Sequence, residues 1–262
     1  MNMLPTAAPH ASINIGGSGA HARQWSSPPA TLSARVPAIF RRLLKFQQMD
    51  FELAAWQLTY LCIAPRRVYR NVYFHKQTKN TWARDDPAIL LLISASLAVA
   101  AIAWSLVYSY SMTETLVLAL LMIFRDFLLT GLAVATLLWL VGNRLLLQPA
   151  PTDSGSTVEW AYALDVHINA FFPLFLWIYI AQLFLVSVVL RENWVCLAVG
   201  NTLYLAALAQ YFYGIYLGLN ALPFLQRTEA LLFPLLPIFV GYVLSLLGFN
   251  VAKQVLAVYF GY

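Results

Sequence analysis

The residues best suited to chemistry sit inside or beside apolar runs. Arg125 and Asp126 are neighbours near the middle of one such run. An ionisable residue at the centre of a membrane span costs about 2.5–3.5 kcal/mol on insertion scales, so it faces other helices or a wet cavity. Adjacent helical positions point about 100° apart, so the two are expected to meet different partners. One reading is a pathway for protons, ions or lipid, or a membrane-embedded enzyme, centred on Asp126. The other is a buried polar clamp between helices, preferred because no other apolar run carries a charge at comparable depth. Asp165, His167 and Asn169 precede a later run. If that stretch is helical, Asp165 and Asn169 share a face and His167 lies on another, which is poor metal geometry. Asp165 would also serve as a helix N-cap. The other histidines, His10, His21 and His75, lie in the N-terminal third. There is no His-Glu-x-x-His pair, no Gly-x-Ser-x-Gly elbow and no phosphate loop. No catalytic residue, metal or cofactor is assigned, and a non-enzymatic protein is expected.

A second group lies in residues 65–87. Arg66, Arg67, Arg70, Lys76, Lys79 and Arg84 are interleaved with aromatics that include Tyr69 and Trp82. Basic residues with stacking rings suit RNA, but beside a membrane they more often serve topology and lipid contact. As a docking surface, the six cations would meet a partner, with Tyr69 and Trp82 as anchors.

The elements that must position these groups follow from hydropathy. The chain has 262 residues, 61% hydrophobic and 10% charged; a soluble domain is nearer one quarter charged. Five apolar runs, at about 88–110, 115–141, 168–190, 194–219 and 231–252, each reach the ~20 residues a helix needs to cross the hydrocarbon. Helices are required because backbone groups in lipid must be satisfied within the segment. The fold expected is all-α: a five-helix transmembrane bundle over 88–260 behind a basic amphipathic segment, 38–87. Tight loops are expected at 111–114 and 191–193, and a turn-rich linker at 143–167. Residues 1–87 hold eleven Lys/Arg against four Asp/Glu, and residues 88–262 hold five against seven. That imbalance places the N-terminus in the cytosol and, after five spans, the C-terminus in the lumen. Cys62 and Cys196 then fall on opposite sides, which disfavours a disulfide.

Residues 1–37, rich in Ala, Ser, Gly and Pro, read as a disordered tail without signal-peptide character. Residues 38–64 read as a helix with Ile39, Leu43, Phe46, Met49, Leu53, Trp56 and Tyr60 along one seam, widened by Phe40, Leu44, Phe51 and Leu58 and ended by Pro65. It would lie in the headgroup plane or, preferably, pack on the bundle. Gly214 with Gly218, and Gly241 with Ser245, allow close helix approach.

Several polar clusters recur in order and resemble the uncoordinated-50 family of Golgi membrane proteins. They are APRRVYRN from Ala64, HKQTKN from His75, WARDDP from Trp82, KFQQMDF from Lys45, VEWAYALDVHINA from Val158, GNTL from Gly200 and ALPFL from Ala221. The resemblance covers about residues 38–260. It implies five spans, a cytosolic N-terminus and a role in vesicular protein trafficking. It also implies a large Arf guanine-nucleotide exchange factor as partner and receptor cargo bound for the cell surface. Animal members are described as RNA binders of the nuclear membrane, and the family offers no active site to carry over.

Overall fold

The computed structural model describes residues 49–70, 81–84, 86–148 and 157–261, which lie in one compact unit, Ala38–Tyr262. The tail 1–37, the first part (38–48) of the helix expected over 38–64, and Lys76 and Lys79 lie outside the described residues. Among those described, five helices are long and apolar enough to span a bilayer: α2 (Ala88–Tyr108), α3 (Met112–Leu146), α4 (Trp160–Val189), α5 (Trp194–Asn220) and the segment Thr228–Ser245. The last begins with a 3-10 turn, Thr228–Leu232, and continues as α6 (Leu235–Ser245). Outside the spans are α1 (Phe51–Ile63), a helix at 65–70, and α7 (Val251–Phe260).

Local chemistry sets the ends. Asp50 caps α1, its carboxylate accepting from the amide of Leu53 at 2.9 Å. Ala64, which precedes Pro65, leaves the helical region at φ −148°, ψ 67°, because the proline ring disfavours the α conformation before it. Ser111 and Glu114 form a reciprocal capping box at the start of α3. Asn193 and Asn250 cap α5 and α7.

Two boundaries and one helix face differ most from the sequence reading. The fifth apolar run is not one helix to Ala252: it stops at Ser245, turns through Gly248 at φ +136°, and restarts as α7. Hydropathy is blind to this break, which glycine and the Asn250 cap create. The linker expected at 143–167 is shorter, because α3 runs to Leu146 and α4 starts at Trp160. Asp165 is therefore inside α4 and does not cap it. The buried side of α1 is Ala54, Leu58 and Leu61, while Leu53 and Trp56 face outward. The expected seam is thus split: Leu53 and Trp56 face outward, while Met49, Tyr60 and the flanking Leu58 pack against the core. Periodicity locates an apolar stripe without saying which of two apolar stripes meets the bundle.

The helix α4 lies at the centre, packed on α3 and α5 and touching α1 and α2. His167, Asn169, Ala170, Phe171 and Phe175 are among its buried residues. The glycine pair of α5 makes this approach possible: a Cβ at Gly218 would sit 2.6 Å from Val166 Cγ1, and one at Gly214 would sit 3.1 Å from Ala170 Cβ. Among the described residues nothing lies within 4 Å of a Cβ at Gly241, so that glycine serves no close approach among them. The outer surface of the spans carries Val99, Leu106, Phe124, Leu137, Phe184 and Phe239, side chains that lipid covers.

Candidate functional site

At the end of the bundle where α2 begins, a short strap is tied down by backbone donors. The Glu159 carboxylate, just before α4, accepts from the amides of Trp82 (3.2 Å to Oε1) and Ala83 (3.3 Å to Oε2). The amide of Arg84 donates to Asp165 at 2.6 Å, and its guanidinium Nη2 donates to Asn169 Oδ1 at 2.7 Å. Asp165 and Asn169 do share a face of α4, one turn apart, and Arg84 reads both. The Trp82 ring is buried edge-on against Tyr162 and Phe224, with centroids 6.4 and 5.8 Å away. Asp86 closes the strap, accepting from the amides of Ala88 and Asp50, each at 3.0 Å.

The basic strip is therefore split. Tyr69 and Trp82, expected as partner anchors, are 4% and 8% exposed and belong to the core. Arg84 is spent on Asn169. Burial pushes the Tyr69 phenol up, opposed by the Arg84 charge; its hydroxyl lies beside Asn169 with no hydrogen bond of good geometry. Arg66, Arg67 and Arg70 stay exposed on 65–70. Arg66 Nε donates to the Tyr213 hydroxyl at 2.9 Å, and the Arg67 guanidinium sits 5.6 Å from the Tyr60 ring centroid. Arg66, Tyr69 and Arg70 face Tyr216, Leu217, Asn220 and Ala221 across an open cleft of about 530 Å³.

Arg125 and Asp126 lie in a π-helical stretch of α3, Leu121–Leu129. They pair with each other, Arg125 Nε to Asp126 Oδ1 at 2.7 Å, where different partners were expected. The Arg125 side chain is 49% exposed and Asp126 16%. Arg125 is thus not a buried group, and its guanidinium also lies 4.9 Å from the Tyr259 ring centroid. Asp126 Oδ2 accepts from the hydroxyls of Tyr179 in α4, at 3.0 Å, and Tyr259 in α7. The carboxylate ties three helices together. Tyr179 is itself held by its backbone, whose carbonyl accepts from the Trp104 indole of α2 at 2.9 Å.

His167 and Asn169 are buried. His167 Nδ1 meets the Tyr211 hydroxyl at 2.8 Å, away from Asp165. Among the described residues no three His, Cys, Asp or Glu side chains converge as metal ligands. Cys62 and Cys196 are free thiols. Asn201 was not singled out. Its amide donates to Ser245 Oγ and the Phe249 carbonyl and accepts from Val251 N, each at 2.8 Å. This holds the turn between α6 and α7. The signal for Asn201 and Glu159 is that a polar residue stands in, or at the mouth of, an apolar span.

The family model described as the UNC-50 family matches residues 39–260. The rat protein named unc-50 homolog is 45% identical over 231 residues, 87% of this chain and 88% of that protein. The human unc-50 homolog is 44% identical over the same shares. The GMH1 homolog of Schizosaccharomyces pombe is 44% identical over 223 residues, 84% of this chain and 95% of that protein. No solved structure matches.

Proposed function

The chain belongs to the UNC-50 family, and from that premise we propose that it is a non-enzymatic trafficking factor of the Golgi and early secretory pathway. In this reading the segment 38–87 faces the cytosol and recruits a large Arf guanine-nucleotide exchange factor. Receptor cargo on its way to the cell surface is the process served. The observation that carries the reading is a division of labour among the polar residues. Arg84, Glu159, Asp165, Asn169 and Asp126 are consumed in holding the fold, while Arg66, Arg67 and Arg70 remain outside on one short helix. A positive patch fixed at a bilayer lets a soluble partner gain from membrane and protein contacts at once. The rival use of Asp126 in transport, lipid scrambling or catalysis draws no support from its geometry, since the carboxylate is occupied by Arg125, Tyr179 and Tyr259.

The test reverses Arg66, Arg67 and Arg70 to Glu together in cells. The expected outcome is loss of exchange-factor recruitment, with the protein still folded and still in the Golgi. Recruitment equal to wild type overturns the reading.

A further inference from the structure

We propose that the cleft between the helix 65–70 and the end of α5 binds the phosphorylated headgroup of an anionic phospholipid, with Arg66 and Arg70 as its phosphate ligands. The two arginines are four residues apart on one helix and so lie on the same side. Both line the cleft, opposite Tyr216, Leu217, Asn220 and Ala221. Among the described residues neither is in an ion pair. Arg70 has no hydrogen-bond partner there, and Arg66 has only the neutral Tyr213 hydroxyl, taken through Nε. That bond fixes the guanidinium plane and leaves the Nη donors free. Planar forks of this kind match phosphate oxygens. The facing wall, with Leu217 and the Tyr216 ring, is largely apolar, so the cleft is charged on one side and apolar on the other, as a headgroup with its glycerol and first methylenes requires.

The surroundings select lipid over a soluble anion or an acidic protein segment. The preceding helix α1 exposes Leu53 at 56%, Trp56 at 41% and Ile63 at 76%. With Tyr60 these positions fall within about 80° of one another on the helix. Its opposite side, Ala54, Leu58 and Leu61, is already packed on the bundle. A helix buried on one side and apolar on the other, followed at once by arginines, has the pattern of an interfacial helix. The stripe ends at Ile63, three residues before Arg66 of the cleft. An acidic peptide bound from water would satisfy the arginines and leave Leu53, Trp56 and Ile63 uncovered.

The test uses the full chain, purified and placed in nanodiscs of phosphatidylcholine alone or with a minor fraction of phosphatidylserine or a phosphatidylinositol monophosphate. Lipids retained on release are counted by native mass spectrometry. Wild type should retain anionic lipid in preference to phosphatidylcholine. Arg70→Gln, which breaks no contact within the described protein, should weaken retention about tenfold, the ratio that one lost charge-assisted contact supplies. Arg66→Gln with Arg70→Gln should abolish it, and Arg67→Gln, outside the cleft, should leave it intact. Ala221→Phe, which fills the cleft and keeps both cations, should also abolish it. Three outcomes overturn the proposal: equal retention by Arg70→Gln, equal loss in Arg67→Gln, or displacement of the lipid by inorganic phosphate or a polyglutamate peptide at matched concentration. No exchange factor is present, so failure here leaves the recruitment reading standing, and failed recruitment leaves this one standing.

Discussion

Tyr259, in the last helix, donates its hydroxyl to the carboxylate of Asp126, in the second span. The two residues are 133 positions apart, and their bond joins α7 to α3 where Tyr179 of α4 already donates. This accounts for an acidic side chain in an apolar run. A carboxylate leaving water is stabilised by charge-assisted hydrogen bonds, and here it has a guanidinium and two phenols. Arg125 is half exposed, and its guanidinium also lies 4.9 Å from the Tyr259 ring centroid.

From this clamp, Asp126→Ala should be the most costly change in the group, because it leaves two phenols and Arg125 without their acceptor. Tyr259→Phe removes one hydrogen bond to a charged group and should cost about 1.5–3 kcal/mol. Thermal unfolding in detergent should rank the variants Asp126→Ala, then Tyr259→Phe, then wild type. A Tyr259→Phe protein as stable as wild type would show that α7 is held elsewhere.

The approach of α4 and α5 gives a steric prediction. An alanine Cβ at 218 would stand 2.6 and 2.7 Å from the two methyls of Val166. Gly218→Ala should therefore destabilise by about 1–3 kcal/mol through overpacking. Adding Val166→Ala should restore part of the loss, a coupling that a double-mutant cycle measures.

The strap 81–84 depends on a single carboxylate for two amides. Glu159→Ala should leave the N–H groups of Trp82 and Ala83 without their acceptor and raise hydrogen exchange there by about tenfold or more. Exchange in the middle of α2 should not change. Unaltered exchange at 82 and 83 would refute the tie.

The pH dependence follows from Tyr69. Burial raises its phenol above the ordinary value, which is about 10. A group raised in the fold contributes stability that is fully present below its unfolded pKa and lost as pH rises beyond it. Stability should thus be indifferent to Tyr69 near neutrality and fall above about pH 10. Tyr69→Phe should match wild type at pH 7 and keep more of its stability in alkali. A scan of unfolding midpoint against pH for both proteins checks this.

Composition and hydropathy were enough to place five spans within a few residues at most of their ends, since lipid imposes a length and an apolar character on any segment that crosses it. Helical geometry alone also put Asp165 and Asn169 on one side and His167 on another. The glycine pair at 214 and 218 marked a close approach before any neighbour was known. Pro65 marked the end of α1 by its effect on the residue before it. Each of these is a local or solvent-imposed constraint, legible wherever it occurs along the chain.

What only the tertiary structure decided is who meets whom. Trp82 and Tyr69 read as exposed anchors because they stand among cations, yet Glu159 and the α4–α5 wall draw both inward. Arg84 looked equivalent to Arg66 and Arg70, but it alone finds Asn169. Arg125 and Asp126 looked set for different partners, and they pair with each other while Tyr179 and Tyr259 converge on the same carboxylate. Charge and ring type set what a side chain can do, but its partner comes from elements tens of residues away, whose arrangement no local pattern encodes. The same reason divides the basic strip: the arginines left for a membrane or a partner are those to which the described residues of the bundle offer no carboxylate or amide acceptor, Arg66 meeting only the Tyr213 hydroxyl.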